Sequence, residues 1–303
     1  MPTLANTDLN VSTLGLGTNV FGWTADARES AQVLDTYADA GGNFLDTADL
    51  YAQTRSETII GDWLAGRSDR DRFVIATKVG MAAGLEGLSA KTIKTAIEGS
   101  LKRLRIDHVD LYWAHVDDTK TPLTETLGAF HDLVVEGKVR YLGASNITGL
   151  RLAEALEDAD RHSFTRYVAV QPEYNLLERE FERRDCDIVA RERLATVPYY
   201  GLASGFLTGK YRPGAEPGES KRGARGARYL EDPRGPKLLE VLDEIASAHE
   251  TTVAAVSLAW LAAQPTVVSP LASARSVEQL AELLPVQELR LGDAELARLS
   301  SIS

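Results

Sequence analysis

Eight short apolar runs separated by longer amphipathic stretches restrict the fold of this 303-residue chain more than any other feature. The runs fall at 13–16, 43–46, 73–77, 109–113, 139–143, 167–170, 195–198 and 267–270. Most lack the alternation of a half-solvated sheet, so they read as parallel strands buried on both faces. The stretches between them carry helix signals. Residues 26–40 end at Gly41-Gly42, 89–104 start at a serine cap, and 122–136 start at a proline and stop at Gly137. Segments 148–160, 180–191, 236–250 and 252–263 continue the pattern. Repeated βα units over this length point to an α/β fold, a (β/α)8 TIM barrel, with an open doubly wound sheet as the alternative. Residues 4–11, centred on Asn6-Thr7-Asp8, read as an N-terminal β-hairpin cap. No linker divides 1–303, so a single domain is expected. The longest irregular stretch, 212–235, reads as a lid because it follows a strand and is too long for a plain connection.

Charge and cysteine content narrow the function. A formal net charge of −11 argues against nucleic acid and against anionic membranes as partners. The single cysteine, Cys186, leaves no intramolecular disulfide and no cysteine-based zinc site, and the histidines have no metal-ligand spacing. The opening MPTLANTDLN has neither a basic region nor an apolar core, so no secretory signal is expected. The longest apolar stretch, 253–263, is shorter than the roughly 20 residues of a membrane span. A cytoplasmic location follows as the expectation, with a monomer as the default state.

In a barrel of this kind chemistry belongs at the C-terminal strand ends. Asp46, Lys78, His115, Ser145, Asn146 and Gln171 all fall there, and Tyr51 lies five residues beyond Asp46. Singly, each has a plain explanation: a turn aspartate, a solvated lysine, a structural histidine, a packing tyrosine. On successive strands they would face one mouth. A tyrosine, with a pKa of about 10, is a poor proton donor near neutrality. An ammonium beside it favours the phenolate and lowers that value. Lys78 would supply the charge, Asp46 would hold Lys78, and His115 would orient a carbonyl. These side chains cannot carry out a redox step alone and need an external hydride source. Lys78 as a Schiff-base nucleophile is the rival reading.

The blocks NFLDTADLY (43–51), SETIIGDWL (56–64), IATKVG (75–80), SLKRLRIDHVDLYWAH (100–115), EGKVRYLGASN (136–146), QPEYNLLER (171–179) and YGLASGFLTGKYR (200–212) resemble the aldo-keto reductase family and run through most of the chain in family order. The resemblance implies the barrel, NADP(H) bound across its mouth, and reduction of a small-molecule aldehyde or ketone, or oxidation of the corresponding alcohol. It places the catalytic tetrad on Asp46, Tyr51, Lys78 and His115. It assigns Ser145, Asn146 and Gln171 to the nicotinamide carboxamide and Tyr199 to the ring face. Tyr200, Gly201, Leu202, Ser204, Gly205, Leu207 and Lys210 match the loop around the pyrophosphate. Gly17 and Thr18 fall beside the nicotinamide, Ser273, Arg275 and Gln279 match the segment around the adenosine 2′-phosphate, and Glu282 matches an adenine contact. Arg275 suits a phosphate by its planar fork, which favours NADP over NAD. Trp23, Tyr51, Trp113 and His115 are the candidate substrate contacts, with Phe206 as a further wall.

Three positions depart from the family pattern: Tyr200 replaces a small hydroxyl residue, Leu283 an asparagine and Ser273 a glycine. Gly15-Leu16-Gly17 begins a dinucleotide fingerprint that Val20 breaks, and 205–210 is one residue short of a P-loop. Arg222, Arg225 and Arg228 form a small basic run, read as a solvated face or an anion contact.

Overall fold

A computed structural model describes residues 1–214 and 223–302. Eight parallel strands, β1 (Gly15–Gly17), β2 (Phe44–Asp46), β3 (Val74–Val79), β4 (Val109–Ala114), β5 (Val139–Ser145), β6 (Tyr167–Gln171), β7 (Ala195–Thr196) and β8 (Leu271–Ala272), form one sheet. Their order is β8-β1-β2-β3-β4-β5-β6-β7. Hydrogen bonds from Thr196 N to Thr266 O (2.8 Å), Val268 N to Thr196 O (2.9 Å) and Leu271 N to Pro198 O (2.9 Å) join the two ends of that order. Helices lie between the strands, as the (β/α)8 barrel requires.

β3 and β4 are buried along their whole length, which explains their largely apolar character; the buried Asp110 of β4 is paired with Arg70 and Arg140. Val74, Ala76, Leu111 and Trp113 face the barrel interior, while Ile75, Val79 and Tyr112 face the helices. The hairpin expected over 4–11 pairs through the antiparallel bridge Thr3–Asn10. It inserts Leu4, Leu9 and Val11 among the interior residues Phe44, Val74 and Ala76. Phe44 and Val74 begin their strands, so the hairpin plugs the end opposite the polar strand termini.

The strand boundaries shift in a way that matters for the site. β3, β5 and β6 each run past the expected end and so include Lys78, Ser145 and Gln171. The strand expected at 267–270 is displaced to 271–272. Val267 bridges to Thr196, whereas Leu271–Ala272 pairs with β1. Pro270 has no N–H to give and contributes its carbonyl to Gly15 N at 3.0 Å.

Four helices escape the sequence reading: Arg55–Ala65, Gly223–Ala227, Val277–Leu283 and Asp293–Ile302. Gly61 weakens the first on propensity. Its absent side chain is what packing needs there, because a Cβ would stand 2.0 Å from the Arg103 carbonyl oxygen of the neighbouring helix. The expected helix 180–191 is two, Glu180–Arg184 and Cys186–Arg191. Asp185 leaves helical geometry between them and accepts from Gly149 N at 2.6 Å. Of the long irregular stretch, 215–222 lie outside the described residues, Arg222 among them.

Candidate active site

Asp46, the last residue of β2, and Lys78 of β3 form an ion pair with both side chains buried. Asp46 Oδ2 also accepts from Trp113 Nε1 and Gln171 Nε2, each at 3.0 Å. Lys78 Nζ donates to the Thr47 carbonyl at 2.7 Å and reaches Tyr51 Oη at 3.5 Å. Two strands and the loop after β2 thus supply one carboxylate, one ammonium and one phenol at the barrel mouth, and Trp113 of β4 and Gln171 of β6 brace the carboxylate. His115 follows β4, with its ring edge-on to Tyr51 at a centroid separation of 6.2 Å.

The loop that carries Tyr51 then makes an unusual turn. Ala52, Gln53 and Thr54 have φ of 49°, 56° and 74°, a left-handed conformation that residues with a Cβ resist. Hydroxyl contacts beneath the turn hold it. Ser56 Oγ lies 2.9 Å from Thr47 Oγ1 and donates to the Thr18 carbonyl at 3.0 Å.

Electrostatics correct one expectation. Burial raises the Tyr51 pKa, and Lys78 opposes that rise without reversing it. The phenol therefore keeps its proton through the neutral range. Burial works against the charge of Lys78, but Asp46 and Tyr51 outweigh it and its pKa is raised. Burial and then the Lys78 charge pull His115 down to about 3, so its imidazole is neutral at working pH. Its Nδ1 is buried with no hydrogen-bond partner among the described residues.

A cleft of about 830 Å³ runs from this cluster across the mouth. Gly17, Ser145, Asn146, Gln171, Tyr199, Tyr200, Gly201, Leu202, Ser204, Gly205, Lys210, Ser273, Arg275, Gln279 and Glu282 line it, together with Trp23, Asp46, Tyr51 and His115. Several are already fixed in place. Ser145 Oγ donates to the Gln171 carbonyl (2.9 Å), Asn146 Nδ2 to the His115 carbonyl (2.8 Å), and Tyr199 Oη to Asn146 Oδ1 (2.8 Å).

Four expected residues stand elsewhere. Thr18 is fully buried and gives its hydroxyl to the Asp46 carbonyl at 3.0 Å. Leu207 and Phe206 are fully buried core residues. Trp113 lies inside the barrel under Asp46 rather than on the cleft wall. The alternation along β4 carries that placement, since Trp113 shares the interior face with Leu111. The basic run is engaged: Arg225 Nη1 donates to Tyr200 Oη at 2.9 Å with its guanidinium 4.5 Å from that ring's centre, and Arg228 pairs with Glu178 at 3.3 Å.

The cleft also includes Asn19, Thr24, Leu50, Met81, Val116, Thr208, Gly209, Leu271 and Ala272, which sequence reasoning did not single out, and Val20 and Leu283, which it named only as departures from a motif. Leu50, Met81 and Val116 adjoin or closely follow the tetrad residues in sequence, and that adjacency was the available signal. Among the described residues no group of three or more His, Cys, Asp and Glu is placed to hold a metal ion, and no helix is long and apolar enough to cross a membrane.

Asp49, two residues before Tyr51, is a further buried acid. It is 1% exposed, and neither carboxylate oxygen has a hydrogen-bond partner among the described residues. Nearby Glu57 takes the available donors, Thr77 Oγ1 at 2.6 Å and Arg103 Nε at 2.7 Å. Burial and then the Glu57 charge push the Asp49 carboxyl up to about 7. The unfolded chain ionises Asp49 near pH 4. Between there and about 7 the unfolded state therefore holds fewer protons than the folded one, and stability falls as pH rises. Asp49→Asn is expected to raise Tm relative to the parent in mildly alkaline buffer, with the gain shrinking as the pH approaches 4. Thermal melts across this range check it, and a gap that does not change with pH would contradict it.

The whole-chain comparisons agree with the barrel. The model of the aldo/keto reductase family matches residues 13–303. The chain is 35% identical to the oxidoreductase YrpG of Bacillus subtilis, over 98% of its own length and 93% of that protein's. It is 32% identical to protein Tas of Escherichia coli, over 99% and 96%. It is 33% identical to the norsolorinic acid reductase stcV of Emericella nidulans, over 95% and 77%. A (β/α)8 barrel, an Asp46–Lys78–Tyr51–His115 cluster at its mouth and a family match over nearly its whole length lead to one conclusion: this chain belongs to the aldo/keto reductase family.

Proposed function

We propose that the chain reduces an aldehyde or ketone to an alcohol with NADPH, and that Tyr51 is the general acid. The observation that carries this reading is the convergence of Asp46, Lys78, Tyr51 and His115 at one end of a long cleft. The cofactor, when bound, supplies the hydride.

The residues of the cleft fit such a group. Ser145, Asn146 and Gln171 would hold the carboxamide, and Tyr199 would cover the nicotinamide ring. Gly201, Leu202, Ser204, Gly205 and Lys210 would surround the pyrophosphate. At Gly205 φ is +91°, and Lys210 Nζ lies 2.8 Å from where a Cβ would stand. Any other residue there would crowd the ammonium and strain the backbone. Ser273, Arg275 and Gln279 would receive the 2′-phosphate, and Glu282 the adenine. Tyr200 turns its hydroxyl to Arg225, so its backbone is the part left for the cofactor.

The chain's own chemistry follows from the charges. A carbonyl oxygen between Tyr51 and His115 meets a phenol that still holds its proton and a neutral imidazole that can donate an N–H. As negative charge develops, Tyr51 passes its proton to that oxygen. Lys78 stabilises the tyrosinate left behind, and Asp46 keeps Lys78 from swinging away.

Arg275 tests the choice of cofactor. Losing a charge-assisted contact to a phosphate lowers affinity by about tenfold or more. Arg275→Ala is therefore expected to raise KM for NADPH by about this factor and to leave KM for NADH unchanged. Equal effects on the two cofactors, or none on either, would remove the basis for NADP preference.

A further inference from the structure

The buried charges around Tyr51 do not cancel. Lys78 and Arg103 bring two positive charges, while Asp46, Asp49 and Glu57 bring three carboxyl groups. Lys78 and the three acids are each at most 2% exposed. Asp46 and Lys78 come from β2 and β3, and Asp49 from the loop between Asp46 and Tyr51. Glu57 comes from helix Arg55–Ala65 and Arg103 from helix Ala90–Leu104.

The donors run out before Asp49 is reached. An ammonium has three N–H groups, and those of Lys78 go to Asp46, the Thr47 carbonyl and Tyr51. Arg103 gives Nε to Glu57 and Nη2 to Ser100 Oγ at 3.3 Å. Thr77 also donates to Glu57. Tyr112 Oη of β4 keeps its proton through burial and the charges of Asp49 and Glu57, and it too has no partner among the described residues. A buried carboxylate without a donor is costly, so Asp49 holds a proton instead. Two carboxylates then face two cations, and the cluster is neutral.

Ionising Asp49 disturbs Tyr51 through Lys78. Burial and Glu57 set the Asp49 carboxyl at about 7, against the pull of Arg103 and Lys78. Such coupling is mutual, so an Asp49 carboxylate offsets part of the Lys78 charge.

On the reading of Tyr51 as general acid given above, we propose that Asp49 is a positioning residue for the proton transfer: while protonated it leaves the whole Lys78 charge to the developing tyrosinate, and once ionised it offsets that charge and slows reduction. The proton still leaves Tyr51 Oη for the carbonyl oxygen, and Asp49 neither gives nor takes it. The rate is therefore highest with Asp49 neutral. On the alkaline side of 7 it steps down to a lower plateau, and it is lost altogether only at the higher pH where Tyr51 itself ionises.

The test is the single-turnover rate with NADPH bound, from about pH 6 to about pH 9, using propanal or whichever of a panel of simple aldehydes is reduced fastest. The parent is expected to fall about threefold to tenfold across the step. Asp49→Asn and Asp49→Ala, which cannot ionise, are expected to hold one rate through that range, with NADPH affinity unchanged. Infrared difference spectra of the parent against Asp49→Asn should show the C=O band of a protonated carboxylic acid below the step and none above it. A flat parent profile, a step that persists in both variants, a step that lies in NADPH affinity, or no acid band below the step would overturn the proposal. A slow Tyr51→Phe variant beside a flat parent profile removes the role of Asp49 alone. If Tyr51→Phe matches the parent, or no aldehyde oxidises NADPH, the general-acid reading fails and this one with it.

Discussion

Replacing Tyr51 with phenylalanine is expected to lower kcat by about 10²- to 10⁴-fold while NADPH binds as before, because the change removes one hydroxyl and nothing that faces the cofactor loop. The ring's edge contact with His115 and its place over the Lys78 ammonium survive the change. The fold should survive too. The loss should appear at every carbonyl tested, since the proton is needed whatever the substrate. The pH behaviour follows from the same site. Burial holds the Tyr51 pKa above its ordinary value against the pull of Lys78, so reduction should fall off only in alkaline solution. His115 sits at about 3 and should add no limb between mildly acidic and neutral pH.

Lys78→Met is expected to have the second large effect, and it falls on stability as well as turnover. Lys78 and Asp46 are both buried, and removing one partner of such a pair leaves a charge without its counterion. That costs roughly 3–5 kcal/mol, which reads as a Tm lower by several degrees. Asp46 keeps its bonds from Trp113 and Gln171, which places the cost toward the lower end. Adding Asp46→Asn removes the stranded charge. The double variant should recover most of the lost stability and none of the lost activity. Additive destabilisation, or turnover near the parent's in Lys78→Met, would contradict the roles given to the pair.

The fold and the strand-end cluster were legible in the sequence for a shared reason. Parallel strands buried on both faces must be continuously apolar, so the polar residue that ends each one is conspicuous. Asp46, Lys78 and Gln171 all stand out in this way. What alternates inside a strand was less visible. Nothing in DLYWA says which of Tyr112 and Trp113 faces the interior, and the sequence reading left Trp113 between the cleft wall and the barrel core. Contacts far apart in sequence were hidden as well. Gly61 lowers helix propensity locally, and only the Arg103 backbone beside it explains why it is there. The clasp of Arg225 on Tyr200 spans 25 residues across a loop and leaves no local signal. Asp49 was overlooked because its raised pKa depends on burial and on the charge of Glu57, which lies on a helix packed beside the barrel.

The single-turnover rate of the Tyr51→Phe variant, with NADPH already bound and a carbonyl mixed in, tests the central claim most directly. Saturating cofactor separates binding from chemistry, and one turnover separates chemistry from product release. A rate at least about 100-fold below the parent's, with cofactor affinity unchanged, is the expected result. A rate equal to the parent's would contradict Tyr51 as the proton donor.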